Sequence, residues 1–338
     1  MAKILVTGGC GYIGSHTLVD LINHGFNVVS IDNLSNSDDS VLEAIYKITG
    51  KRVKNYPVDL SDKNALIEVF KEENNIAGII HFAALKAVGE SVEKPLKYYA
   101  NNLGGLIHLL EAMNQFAIHP LIFSSSCSVY GNAKELPVTE NTPWQPAESP
   151  YARTKQMGEE IINDTLVAHP NLKAIFLRYF NPAGAHESAL MGESPINEAN
   201  NLVPVITETA IGKRSSMTVF GTDYPTRDGS CIRDYIHIMD LANAHTKALQ
   251  YSLNPKHDKR KITFNLGIGE GVTVLEAIRA FEKVSGQNLN YVLGARRPGD
   301  VVAIYANNKQ AASILGWQPT RNIDEIMSSA WNWEKART

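Results

Sequence analysis

Gly8, Gly11 and Gly14 stand three residues apart, directly after an apolar run from Ile4 to Val6 and at the head of an amphipathic stretch from Tyr12 to Asn23. The apolar run reads as a short buried strand. Gly8 and Gly11 permit a tight turn and close approach of backbone to a ligand, and Gly14 lets the following helix pack closely. The free N–H groups at the helix start carry partial positive charge, so they suit a pyrophosphate without a basic side chain. The helix pattern stops at His24-Gly25, a second strand runs from Asn27 to Ile31, and Asp32 ends it. An acidic residue roughly 20 residues beyond the glycines is placed for a ribose 2′-hydroxyl, which favours NAD over NADP. The spacing is Gly-x-x-Gly-x-x-Gly, so the strand–helix–strand–Asp order is what separates a dinucleotide cradle from a glycine-rich turn in another α/β unit.

Further strands are predicted at Val53 to Val58, Gly78 to Ala83, Leu121 to Ser125 and Lys173 to Phe180. Helices are predicted at about Lys63 to Glu73, Pro95 to Phe116 and Ser149 to Ala168. Near-continuous apolar strands alternating with helices indicate an α/β, doubly wound parallel sheet of the Rossmann kind, covered on both faces. Past Asn181-Pro182, Gly, Pro, Asn and Ser become frequent and helical stretches look short, so a second, smaller α/β lobe is expected there. The division is residues 1–180 for the cofactor and 181–338 mainly for substrate, with the chain crossing back near 230–265. Ligands bind at the carboxyl ends of parallel strands, where Gly8, Asp32, Asp59, Ala83, Ser126 and Asn181 fall.

A chain of 338 residues with a net charge of −3 and both signs interspersed offers no basic stripe for nucleic acid. No apolar stretch approaches the roughly 18 residues of a membrane span, and the first strand leaves no room for a signal peptide, so no membrane and a cytoplasmic location are expected. Cys10, Cys127 and Cys231 are odd in number and widely spaced, and ten histidines show no ligand spacing. No disulfide framework and no metal are expected.

Tyr151 and Lys155 open the helix after the fifth strand, and their i, i+4 spacing places phenol and ammonium on one face. A phenol with a pKa of roughly 10 is a poor base at neutral pH, and a neighbouring cation favours the phenolate. Ser126, at the end of Ser124-Ser125-Ser126, can hydrogen-bond the same substrate hydroxyl. Taken alone, Tyr-x-x-x-Lys is commonplace on solvated helices; its position after this strand and downstream of the glycine turn gives it weight.

At these residues the chain resembles the extended short-chain dehydrogenase/reductases, and within them the UDP-glucose 4-epimerase family. The matching runs are Val6-Thr-Gly-Gly-Cys-Gly-Tyr-Ile-Gly-Ser-His16, His81-Phe-Ala-Ala-Leu-Lys-Ala-Val-Gly-Glu-Ser91, Ser149-Pro-Tyr-Ala-Arg-Thr-Lys155 and Arg178-Tyr-Phe-Asn-Pro-Ala-Gly-Ala-His186. Asn200-Asn-Leu202, Arg233-Asp-Tyr-Ile-His237 and Arg296-Arg-Pro-Gly-Asp300 follow.

The resemblance implies an NAD-dependent isomerase that interconverts UDP-galactose and UDP-glucose. Tyr151 would take the proton of the sugar 4-hydroxyl, Lys155 would hold the nicotinamide ribose and lower the phenol pKa, and Ser126 would bridge to O4. On the cofactor side it places Tyr12 and Ile13 with the glycines, and Asn33, Asn36 and Ser37 after Asp32. Asp59, Leu60, Phe82, Ala83 and Ala84 join them at strand ends, as do Lys86, Asn101, Ser124, Tyr179 and Phe180. On the UDP-sugar side it places Asn181, Asn201, Leu202 and Phe220, with Arg233 and Arg297 on the diphosphate and Asp300 on the uridine ribose. Guanidinium forks suit that diphosphate role. The family also implies a homodimer through the helices of residues 95–116 and 149–168.

Three other readings share the motifs. Dehydratase relatives carry Asp-Glu after the strand-end hydroxyl residue, and decarboxylase relatives a glutamate at the second of those positions; this chain has Cys127 and Ser128 there. A non-catalytic NAD sensor would not need Ser126, Tyr151 and Lys155 together. Alignment from Asp300 puts Ile304 where relatives restricted to non-acetylated sugars often carry a bulky Tyr, so some turnover of UDP-N-acetylglucosamine is expected.

Overall fold

Ile4 and Val6 of the first strand point into one hydrophobic core and Leu5 into another, the alternation of a strand covered on both faces. The computed structural model describes residues 1–338 apart from Asn197, Pro298 and Gly299. Strands β1 (Lys3–Thr7), β2 (Asn27–Ile31), β3 (Lys54–Tyr56), β4 (Ile76–His81), β5 (Pro120–Ser126) and β6 (Lys173–Tyr179) join Lys261–Leu266 in one seven-stranded sheet. The order is Lys261–Leu266, β6, β5, β4, β1, β2, β3, with every pairing parallel. The doubly wound α/β architecture expected from the sequence is what the chain adopts.

The first core lies between the sheet and the helices Tyr12–Asn23, Ser40–Thr49 and Ile238–Leu253; the second lies under Lys63–Glu72, Gly105–Gln115 and Pro150–Ala168. Each holds more than a dozen aliphatic or aromatic side chains out of water, at roughly 1.5–3 kcal/mol apiece for a fully buried one. The helix Ser40–Thr49, absent from the sequence reading, turns Ile45 inward and stops at Gly50 with φ +68°. β3 is shorter than the predicted strand and lies half-exposed at the sheet edge.

The helix predicted as continuous from Pro95 to Phe116 is interrupted. A π turn at Ala100–Gly104 separates Pro95–Tyr99 from Gly105–Gln115. Asn102, inside that turn, accepts from Leu85 N at 2.8 Å and donates to Leu85 O at 3.0 Å and Thr154 Oγ1 at 3.1 Å. It thereby fixes the segment after β4 against the helix that carries Tyr151.

Beyond Asn181 the helices are longer than expected: Ile238–Leu253 runs 16 residues, Ile323–Ala336 runs 14 and Val274–Ser285 runs 12. The last two start with capping boxes, Thr273 with Glu276 and Asn322 with Glu325. The chain leaves the sheet after β6 and returns to it with Ile238–Leu253, which packs on Tyr12–Asn23, β5 and β6, and with Lys261–Leu266. Leu202–Ala210, Val274–Ser285 and Ile323–Ala336 surround a third core containing Ile206, Phe281 and Trp331. Among the described residues, three two-stranded pairings, including Met217–Phe220 with Tyr291–Gly294, complete this part. Among the described residues no helix is long and apolar enough to cross a membrane.

Candidate active site

Gly8 turns β1 toward the helix with φ +71°, and a Cβ there would lie 2.8 Å from Ala83 N. Backbone passes backbone at a distance that only glycine allows. A Cβ on Gly14 would lie 2.1 Å from Gly8 O, so this glycine closes the turn on itself more directly than it brings the helix to the sheet. Gly11 differs: its φ is −71° and its Cβ position meets only Gly8 O, at 3.3 Å. Gly11, the N-cap, offers no side-chain cap to the first-turn N–H groups of Tyr12 and Ile13, and the space at its own Cβ position is open apart from Gly8 O. That is the geometry of an anion cradle, and it fits a dinucleotide pyrophosphate. Gly9, passed over in the sequence, is equally constrained: a Cβ would lie 2.3 Å from Ser30 Oγ.

Asp32 ends β2 with its carboxylate accepting from Cys10 N at 3.0 Å, Leu34 N at 3.0 Å and Ser37 Oγ at 2.8 Å. Asn33 donates to Asp59 Oδ2 at 2.7 Å. Burial pushes the Asp59 carboxyl up, and hydrogen bonds from Ser61 and Asn33 outweigh it and hold the group below its usual range. Asn36 is exposed in the same loop, and Leu60 is buried beside Asp59. After β4, Phe82 N donates to Thr7 O at 3.0 Å, which brings Phe82, Ala83 and Ala84 alongside the glycine turn. Asn101 donates to Asn102 Oδ1 at 2.9 Å. The residues assigned to the cofactor from β1, β2, β3 and β4 thus line one edge of the sheet.

Tyr151 and Lys155 enter from the next strand over. Ser149 caps their helix by accepting from Ala152 N at 3.1 Å, and Pro150 occupies its first position. Lys155 Nζ donates to Ser124 O at 2.7 Å, and the Ser124 hydroxyl is bonded to Tyr179 Oη. Burial pulls the Lys155 amine down to about 8, against an upward pull from Glu159. Burial drives the Tyr151 phenol well above its ordinary value and Tyr179 adds to this, while Ser126 acts in the other direction. The expected depression of the phenol by Lys155 is therefore not achieved by the protein alone. Dehydration is the largest cause.

Glu159, unnoticed in the sequence, continues the Tyr151, Lys155 series by one more turn, so the i, i+4, i+8 spacing was its signal. It is 2% exposed and accepts from Arg178 Nε at 2.9 Å, Arg178 Nη2 at 2.7 Å and the Ser125 hydroxyl. Arg178 Nη1 also donates to Tyr130 Oη at 3.0 Å. The catalytic helix is thereby pinned to β5 and β6 by a satisfied buried pair, whose disruption costs far more than a surface pair.

On the far side of the cleft, Arg233 Nη2 and Arg297 Nη2 both donate to Asp300 Oδ1, at 3.2 and 3.1 Å. Arg297 also sits 5.7 Å from the ring centre of Phe220, which is 42% exposed. Burial pushes the Cys127 thiol up, with Arg233 acting in the other direction. Pro298 and Gly299, in the middle of the Arg296 to Asp300 run, lie outside the described residues. Asn181, Asn201 and Leu202 line a solvent-open cleft of about 350 Å³ together with Tyr235 and Glu193. Ile304 is 4% exposed and packs with Phe180, Tyr130 and Val129. Lys86 reaches Glu193 at 3.3 Å. Among the described residues no group of three metal-ligating side chains comes together.

The family model described as GDP-mannose 4,6 dehydratase matches residues 5–330. UDP-glucose 4-epimerase of Bacillus subtilis is 47% identical over 98% of this chain and 97% of its own length. A crystal structure of UDP-glucose 4-epimerase from Bifidobacterium longum in complex with NAD+ and UDP superposes with a TM-score of 0.95 at 45% identity, covering 99% of this chain and 98% of that one. The UDP-glucose 4-epimerase of Stenotrophomonas, with bound NAD and formylated UDP-arabinopyranose, gives a TM-score of 0.95 at 42% identity, covering 100% of this chain and 99% of that one.

Proposed function

The chain belongs to the UDP-glucose 4-epimerase family of extended short-chain dehydrogenase/reductases, and on that footing we propose that it interconverts UDP-galactose and UDP-glucose through a transient 4-keto sugar. The observation that carries this reading is the convergence of Ser126, Tyr151 and Lys155 at the carboxyl end of β5, on the same sheet edge as the glycine cradle. The cradle's open Gly11 face, uncapped helix start and Asp32 carboxylate fit NAD. When bound, oxidised NAD supplies a hydride acceptor for the sugar C4 and a positive charge in the site, and the hydride is returned so that no net redox change results.

The protein's own part is to bind and to move one proton. Ser126 Oγ orients the sugar 4-hydroxyl, and Tyr151 Oη takes its proton and gives it back. Lys155, anchored on Ser124 O, stays beside the phenol and offers its remaining N–H groups to a ribose. Arg233 and Arg297 hold the diphosphate, Asp300 the uridine ribose, and Phe220 the exposed rim. Asn181, Asn201 and Leu202 line the cleft around the UDP-sugar. Anchoring the nucleotide while leaving the sugar free to rotate lets hydride return to the opposite face.

Dehydration of the sugar, the chemistry named in the family model's description, would need a carboxylate pair where Cys127 and Ser128 stand. We assign residues 1–180 chiefly to NAD and 181–338 chiefly to the UDP-sugar. A homodimer is supported by the exposed apolar side chains Val88, Val92, Leu96 and Ile107 on the helices packed around Pro150–Ala168. A cytoplasmic location is supported by the free thiols of Cys10, Cys127 and Cys231.

The test is to incubate the purified protein with UDP-galactose and no added cofactor, then resolve the sugar nucleotides. UDP-glucose should appear, and Tyr151→Phe should remove most of the rate. UDP-galactose left unchanged even with NAD supplied overturns the reading.

A further inference from the structure

Glu193 is the sole charged side chain among the described residues lining the cleft with Asn181, Asn201 and Leu202. A carboxylate on the wall of a cleft beside a bound UDP-sugar opposes the negative charge of its ligand by Coulomb repulsion. It is nevertheless only 10% exposed and firmly placed: Glu193 O accepts from Trp333 Nε1 at 3.0 Å, which fixes its backbone. Its Oε1 accepts from Asn201 Nδ2 at 2.7 Å and from Lys86 Nζ at 3.3 Å. These donors come from opposite sides, Lys86 from the segment after β4 and Asn201 from the start of the helix Leu202–Ala210.

Asn201 occupies the N-cap of that helix and yet makes no side-chain cap bond. An asparagine there ordinarily folds back onto the N–H groups of the first turn, a bond whose loss costs roughly 1 kcal/mol. Here the amide is drawn away to Glu193 and stays on the cleft wall. Lys86 compensates the carboxylate that does this.

Resting on the epimerase reading, we propose that Glu193 is a positioning residue, which holds the Asn201 amide out of its capping position and presented to the UDP-sugar. Without it, Asn201 falls back onto its own helix and leaves the cleft.

The proposal has a sign that simple electrostatics does not share. Removing a negative charge from the cleft should tighten UDP binding by Coulomb's law, whereas losing the Asn201 anchor should weaken it. Equilibrium binding of UDP to the NAD-containing protein, followed by calorimetry, reads this directly and needs no turnover. Glu193→Ala is expected to weaken UDP binding about tenfold, about 1.4 kcal/mol. In turnover the KM for UDP-galactose should rise by a similar factor while kcat falls by less than about threefold. Glu193→Gln keeps an acceptor for Asn201 Nδ2 and should bind UDP at least as well as the parent, which also guards against a folding defect in the alanine variant. Binding by Glu193→Ala as tight as the parent's overturns the proposal, and so does an equal loss in both variants, because charge would then be what matters. If the parent binds UDP and yet leaves UDP-galactose unchanged, the epimerase reading fails while the two variants still decide the role of Glu193.

Discussion

The ammonium of Lys155 lies 5.9 Å from the ring centre of Tyr151, one turn along the same helix. The same burial acts on both in opposite senses, drawing the amine down to about 8 and the phenol up. Below pH 8 the folded protein carries a buried charge that the unfolded chain would hydrate. Between pH 8 and the ordinary lysine value of 10.5 the unfolded chain binds more protons than the folded one, so this group's contribution to stability rises with pH. Relative to Lys155→Met, the parent should therefore gain about 2 kcal/mol between pH 8 and 10 in urea unfolding. The variant should be inactive throughout. A difference that stays flat over that interval contradicts the buried amine.

Gly8 and Gly11 should separate folding from cofactor binding. Gly8→Ala places a Cβ against Ala83 N at φ +71°, so it should lose about 1 kcal/mol or more and release NAD as well. Gly11→Ala meets only Gly8 O at 3.3 Å, so its melting temperature should stay near the parent's while retained NAD, measured after denaturing the purified protein, falls. Full retention of NAD by Gly11→Ala would show that the open face of the turn is not where the pyrophosphate lies.

The resemblance implies a bulky Tyr in stricter relatives where Ile304 stands, so UDP-N-acetylglucosamine should be epimerised to some extent. Ile304→Tyr should suppress that turnover more than turnover of UDP-galactose. Since Ile304 is packed against Phe180 and Tyr130, the larger ring should also cost about 1–3 kcal/mol by overpacking, visible in thermal unfolding. No product from the acetylated sugar, under conditions where UDP-galactose reacts well, excludes the broader specificity.

Leu96 is 80% exposed on the helix Pro95–Tyr99. Leu96→Glu is harmless to an isolated chain and disruptive in an apolar interface between two copies. Sedimentation should show a dimer for the parent and a shift toward monomer for the variant; an unchanged distribution would move the interface elsewhere.

The first half of the fold was legible because its signals are local. A glycine turn between a strand and a helix, strands buried on both faces and an Asp at a fixed distance define the βαβ unit without reference to the rest of the chain. The helix Ser40–Thr49 carries its own signal, with Val41, Leu42, Ile45 and Ile48 at helical spacing and Gly50 after it, weaker than the glycine motif beside it. The capping boxes at Thr273 and Asn322 were likewise readable, and the frequent Gly and Pro between helices masked them. Tyr151 and Lys155 were legible as a pair on one helix face. Glu193 was not, since Lys86 approaches it from 107 residues away and no spacing rule anticipates that contact. The raised Tyr151 phenol was also hidden, because desolvation depends on what the fold packs over a side chain.

Lys261–Leu266 pairs with β6 along its full length and is the outermost strand on that side of the sheet. A gene cut at residue 180 would therefore encode a fragment ending in an uncovered parallel edge, with Ile175 and Leu177 no longer sheltered by the returning helix Ile238–Leu253. Such a half would expose apolar surface that favours association with its own copies, whereas in the intact polypeptide the returning helix covers it. The two lobes are interlaced by the path of the backbone, so neither is an exchangeable module, and recombination between relatives should tolerate crossovers in pairs that preserve this return far better than a single join between them.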